Sequence, residues 1–206
     1  FRRVLFRSNT QIAAGTAVLG WIIIEKLRDG KATTLGAASG AISGLVAITP
    51  ACGWVSPMGS IAIGLISGAV CALATAIKGK VGIDDSLDVG AVHLVGGVVG
   101  AILTGFFASA DTNGADGVFY GGSWDVVLEQ LIAIGATLAY SAVVTAIIAL
   151  AIKYTIGLRV SEEAEEVGLD ESLHGETAYR FSSIGGGSGS VASSVPSPKV
   201  PEEAQA

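Results

Sequence analysis

ATTLGAASGAISGLVAITPACGWVSPMGSIAIGLISGAVCALATAI, residues 32–77, runs for 46 residues without a single Asp, Glu, Lys, Arg or His. As one helix it would be about 69 Å long, against a bilayer hydrocarbon core of roughly 30 Å. One crossing cannot hold it. Residues 49–57 (TPACGWVSP) divide it, because two prolines and a glycine interrupt a helix. The stretch therefore reads as two membrane spans joined by a tight turn.

The rest of the chain agrees. Of 206 residues, 50% are hydrophobic and 15% charged, with a mean hydropathy of +0.63. A soluble domain carries roughly a quarter of its residues as charges. A disordered protein, a nucleic-acid binder and an ordinary soluble enzyme are excluded on those grounds. The fold class expected is all-α, a polytopic transmembrane helical bundle in a lipid bilayer. The net charge of −6 says little about partners, since the acidic residues gather in loops and tail. Cys52 in the turn and Cys71 in an apolar run read as small buried residues, not a disulfide framework.

Uncharged runs place five spans near 9–27, 32–48, 58–77, 84–108 and 125–153. Lys26, Arg28, Lys31, Lys78, Lys80, Lys153 and Arg159 all fall in alternate loops, while residues 49–57 and 108–125 carry no basic residue. The positive-inside rule puts the basic loops and the C-terminus in the cytoplasm. Gly36, Gly40 and Gly44, then Gly64 and Gly68, then Gly96 and Gly100, recur at four-residue intervals. Small residues at that spacing let helices approach closely in lipid.

Both ends differ from this pattern. Residues 1–8 (FRRVLFRS) resemble the in-frame translation of a sequencing-adapter end, so they are set aside as a scar. The remainder then reads as the C-terminal part of a longer protein. Ser161 is placed to cap a short acidic helix beginning at Glu162, and 161–181 is expected as a cytoplasmic tail. Ser, Gly and Pro dominate 182–206, where disorder is expected.

Within the apolar runs 9–24, 32–77, 89–110 and 130–152, His93 is the one Asp, Glu, Lys, Arg or His. If its helix starts near Asp84, His93 lies about 13.5 Å along the axis, near the bilayer centre. Ionisable groups at that depth are costly and usually face a bundle interior or an aqueous path. A neutral imidazole offers one donor and one acceptor, so it can pass a small polar molecule. Asp84, Asp85 and Asp88 precede it at the span start, where carboxylates cap free N–H groups and complement the helix dipole. That role is favoured for Asp84 and Asp85, while the deeper Asp88 is placed to hold a neighbouring backbone or loop. One histidine is too few for a metal site, and no nucleophile–base motif, phosphate loop or redox pair occurs. No metal, no cofactor and no enzymatic activity are therefore expected.

These residues also resemble a family. GAASGAISGLVAITPACG (36–53), DDSLDVGAVHLVGG (84–97), and LRV (158–160) followed by GLD (168–170), HGE (174–176) and Tyr179 are similar to three ordered motifs of ammonium transporters. The resemblance implies an eleven-span, inverted-repeat protein that forms a homotrimer, with these five spans as its last five. It implies a conduction path lined by two histidines in each subunit, of which His93 matches the second. Thr49, Ile42 and Val89 match positions of the vestibule or of packing along the pore. Arg159, Gly168, Leu169, Asp170, His174, Gly175, Glu176 and Tyr179 match a cytoplasmic coupling tail, where a PII-type nitrogen regulatory protein is the implied partner. Gly90 stands where the family usually has Phe, and Leu173 where Glu commonly precedes His-Gly-Glu. The activity implied is uptake of ammonium or methylammonium; the alternative is a membrane sensor of ammonium built on the same scaffold.

Overall fold

The computed structural model describes residues 2–82 and 85–176. The chain divides into two compact units, Phe1–Ile148 and Ala149–Ala206. Helices account for nearly all of the regular structure in both.

In the first unit α1 (Arg2–Asp29) packs along α3 (Pro57–Val81) and α2 (Thr34–Ile48), and these three form its densest part. Residues 2–8 continue α1 without a break. The second and third of these helices start where side chains satisfy free N–H groups. Thr33 accepts from the Gly36 N–H at the head of α2, and Ser56, followed by Pro57, accepts from the Gly59 N–H at the head of α3. Glu25, nearly buried, braces the first of these caps by accepting from both the backbone N–H and the hydroxyl of Thr33.

The glycine spacing has a direct structural counterpart. A Cβ on Gly44 would stand 2.5 Å from the Ala13 carbonyl oxygen, and one on Gly40 would stand 2.7 Å from Trp21 Cβ. Gly64 and Gly68 press on the backbone of Ala13 and Ala17 in the same way, and Gly100 presses on Ala47. Backbones this close exclude any larger residue. The buried cluster that results holds Ala13, Ala47, Ile48, Ala51, Cys52, Val55 and Ile63.

The turn after α2 is tied down from outside the sequence neighbourhood. The Asn9 amide donates to the carbonyls of Cys52 (2.9 Å) and Val55 (2.8 Å). Val55 also forms an isolated bridge with Ala108, and the Ser109 N–H donates to the Trp54 carbonyl. The loop after α4 (Val95–Phe107), which includes the short α5 (Ala110–Asn113), is thereby fixed to the turn.

The last long helix, α6 (Asp125–Thr155), behaves differently: among the described residues Val127 is the one it buries. By length and composition three helical stretches among the described residues can cross a membrane: Pro57–Lys78, Gly90–Phe107 and Asp125–Thr155. Thr34–Ile48 has 15 residues, about 22 Å, shorter than a hydrocarbon core of roughly 30 Å.

The expected start of the fourth span near Asp84 is corrected. Residues 86–88 form a turn, Asp88 has φ +57°, and helical backbone starts only at Val89–Gly90. An aspartate in the left-handed region cannot continue a right-handed helix, so the start is displaced. His93 consequently sits about one turn into its helix, not the 13.5 Å computed from Asp84.

In the second unit α7 (Glu162–Val167) is capped by Ser161, which accepts from the Ala164 N–H, and a π turn follows at Asp170–His174. Tyr179 and the tail 182–206 lie outside the described residues.

Candidate functional site

His93 lies in a π-helical turn, Gly90–Leu94, that leads into α4. Its neighbours Ala91 and Val92 are buried toward α3, so the imidazole is turned to the opposite, exposed side. That side is one wall of a cavity of about 390 Å³. His93, Leu94, Gly97, Val98 and Ala101 line it from one helix; Gln130, Ala133, Ile134, Thr137 and Leu138 line it from α6, with Pro50 between them. Both sets follow helical spacing, so each is a single stripe. Among the described residues the lining carries no Asp, Glu, Lys or Arg. Its hydrogen-bonding side chains are those of His93, Gln130 and Thr137, spaced along an otherwise apolar wall.

Below the cavity the chain is held by charge. The Asp85 carboxylate accepts from the Val89 N–H at one oxygen (2.9 Å) and from the Gly90 N–H at the other (2.7 Å). Lys78, reaching over from α3, pairs with the Asp88 carboxylate and donates to the Asp85 carbonyl oxygen. In this turn Asp85 accepts from the free N–H groups of the helix start and Asp88 is an ion-pair partner of Lys78. Asp84 lies outside the described residues.

The other candidates are not drawn into this cavity. Ile42 and Val89 are about half exposed and line neither it nor the described cavities beside it. Thr49 is exposed and its hydroxyl donates back to the Leu45 carbonyl. The residue beside it, Pro50, does line the cavity. Sequence reasoning missed Pro50, Gln130 and Thr137. The signal for two of them was present: Gln130 and Thr137 are polar residues seven apart in an apolar span, hence on one face. In the second unit, Arg159, Gly168, Leu169, Asp170, His174, Gly175 and Glu176 are all solvent-accessible. The Glu176 N–H donates to the Asp170 carbonyl, which closes the π turn around His174. Among the described residues no three His, Cys, Asp or Glu side chains converge to hold a metal.

The sequence model of the Ammonium Transporter Family matches residues 3–179. The chain belongs to the ammonium transporter family. The ammonium transporter of Mycobacterium tuberculosis H37Rv is 49% identical over 185 residues, covering 86% of this chain and 39% of that protein. The crystal structure of Saccharomyces cerevisiae Mep2 superposes with a TM-score of 0.69 at 38% identity, over 79% of this chain and 38% of Mep2. A solved sensor Amt protein superposes with a TM-score of 0.73 at 29% identity, over 82% of this chain and 42% of that one. The chain therefore spans about two-fifths of the length of the relatives it matches. The all-α membrane-bundle architecture expected from composition is that of this family.

Proposed function

We propose that the protein carrying this sequence takes up ammonium or methylammonium across the cytoplasmic membrane, through a path lined by His93 in each subunit of a homotrimer. The observation that carries the reading is the imidazole itself, turned out of the helix packing and into a mostly apolar cavity with sparse polar groups. Moving a bare cation through such a wall is costly, whereas neutral ammonia needs only a donor or an acceptor along the way. A neutral imidazole supplies one of each. On this reading the ammonium ion gives up its proton at the outer mouth, and ammonia and proton travel separately or nearly so. A second histidine from another part of the protein faces His93.

Five spans, with the basic loops and the C-terminus in the cytoplasm, complete the reading, and the lysines and arginines of alternate loops support that orientation. The 158–179 segment is then a coupling tail on the side where a PII-type regulator docks. The sensor likeness favours one rival, a protein that binds ammonium on this scaffold and reports it without flux.

One experiment separates the two. Full-length protein in sealed vesicles is expected to give saturable methylammonium uptake that ammonium competes away. Ammonium binding with no uptake above protein-free vesicles would leave the sensor in its place.

A further inference from the structure

We propose that Lys78, Asp85 and Asp88 form a clamp that sets the azimuth of His93, acting as positioning residues through the π turn. The proposal rests on the reading of His93 as a conduction residue, and it begins with a conformation that needs explaining. Asp88 is the one non-glycine residue with positive φ among the described residues, at +57°. Non-glycine residues persist there when their surroundings hold them. Lys78 is what holds it: one ammonium group, from a different helix, binds the Asp88 side chain and the Asp85 carbonyl together. The turn 85–88 is thereby pinned to α3.

Asp85 then converts a pinned turn into a fixed helix start. Both of its carboxylate oxygens are taken by consecutive N–H groups, Val89 and Gly90. The Val92 N–H goes back to the Asp88 carbonyl (2.8 Å), and the Val95 N–H goes back to Gly90. Five residues, Gly90–Leu94, are accommodated as a π turn between this start and α4.

The far side of the π turn is closely packed. Gly100 of α4 lies directly on the Ala47 backbone, and a Cβ on Gly96 would lie 3.4 Å from Cys71 Sγ. His93 is bracketed between two fixed points. A π turn holds one more residue than an α turn, so the side chains before and after it are offset by roughly 100° of azimuth. Releasing the lower point lets the turn relax to α-helix and swings His93 around the helix by up to that amount. There is room for the change, because Gly90 adds no side chain and the clamp borders a cavity of about 260 Å³ that Lys78, Asp85 and Gly90 line.

The test uses full-length protein in lipid, with His93 selectively labelled for ring NMR and uptake measured per folded subunit. Lys78→Met should shift the His93 ring resonances and cut maximal methylammonium uptake at least tenfold, with KM changed less than twofold. Lys78→Arg keeps both contacts and should restore the resonances and at least half of the uptake. If Lys78→Met does not fold, position 88 decides the matter. Asp88→Gly keeps a residue suited to the left-handed backbone but loses the tether to Lys78, and should shift the His93 resonances, as should Asp88→Val. Folded Lys78→Met, or Asp88→Val, with wild-type His93 resonances would overturn the clamp. Shifted resonances with unchanged uptake would uphold the clamp and instead remove His93 from the conduction path.

Discussion

The third and sixth helices each carry an 18-residue apolar stretch of almost the same mean hydropathy, 2.1 within Pro57–Lys78 and 2.2 within Asp125–Thr155, yet 39% of the first stretch is buried and none of the second. Hydropathy reports solubility in lipid. It does not report which neighbour a helix has. That information lies in the small residues: Gly64 and Gly68 of α3 sit against the α1 backbone, whereas a Cβ on Gly135 of α6 would meet nothing within 4 Å. In lipid, where apolar side chains gain little by leaving the solvent, close backbone approach decides association.

Substitutions can break or sharpen this contrast. Gly68→Leu forces a side chain into the Ala17 backbone. It should destabilise the first unit by about 3 kcal/mol or more, measured by denaturant unfolding in detergent, since overpacking of a rigid site is at the upper end of its usual cost. Wild-type stability would mean that α1 and α3 are not packed as described.

Asn9→Leu comes next. It removes two donors from the carbonyls of Cys52 and Val55, with Asn9 itself fully buried. A loss of about 1–3 kcal/mol is expected, because the two acceptors are left without partners. Proteolysis within 49–56 should quicken along with it.

Gly135→Leu is the matched control for Gly68→Leu, and in this chain it should change stability by less than about 0.5 kcal/mol. A large loss in the full-length protein, beside a small one here, would show that another part of the protein covers that face of α6.

The smallest effect belongs to the end of α1. The Arg28 guanidinium hydrogen-bonds the exposed Asp29 and holds its carboxyl below the usual carboxylate range. A depressed folded-state value means that the stabilising contribution is complete above the ordinary carboxylate range and is lost as pH falls through the lowered one. Asp29→Asn should therefore melt marginally below the wild type near neutral pH, by little because the pair is exposed, and match it in the acid limb.

Much of this architecture was legible in advance. The charge-free run 32–77 announced a membrane bundle, the Gly36/Gly40/Gly44 series announced its tight face, and His93 stood out as the titratable group in an apolar span. Two things were not legible. The left-handed Asp88 pairs with a lysine ten residues earlier on another helix, and local pattern alone extends the helix back to Asp84. The cavity wall draws on Pro50, His93 and Thr137, whose proximity is set by tertiary packing and by no spacing rule.

The central claim is that His93 serves the passage of ammonia and not the packing of α4, and one substitution addresses it most directly. His93 faces the cavity while its buried neighbours Ala91 and Val92 carry the packing. In full-length protein, His93→Leu should leave folding and oligomer assembly unchanged, because Ala91 and Val92 carry the packing of this turn against α3. Methylammonium uptake per assembled oligomer should fall to the level of protein-free vesicles, because an apolar plug replaces the donor and acceptor. Wild-type uptake by correctly assembled His93→Leu would contradict the account.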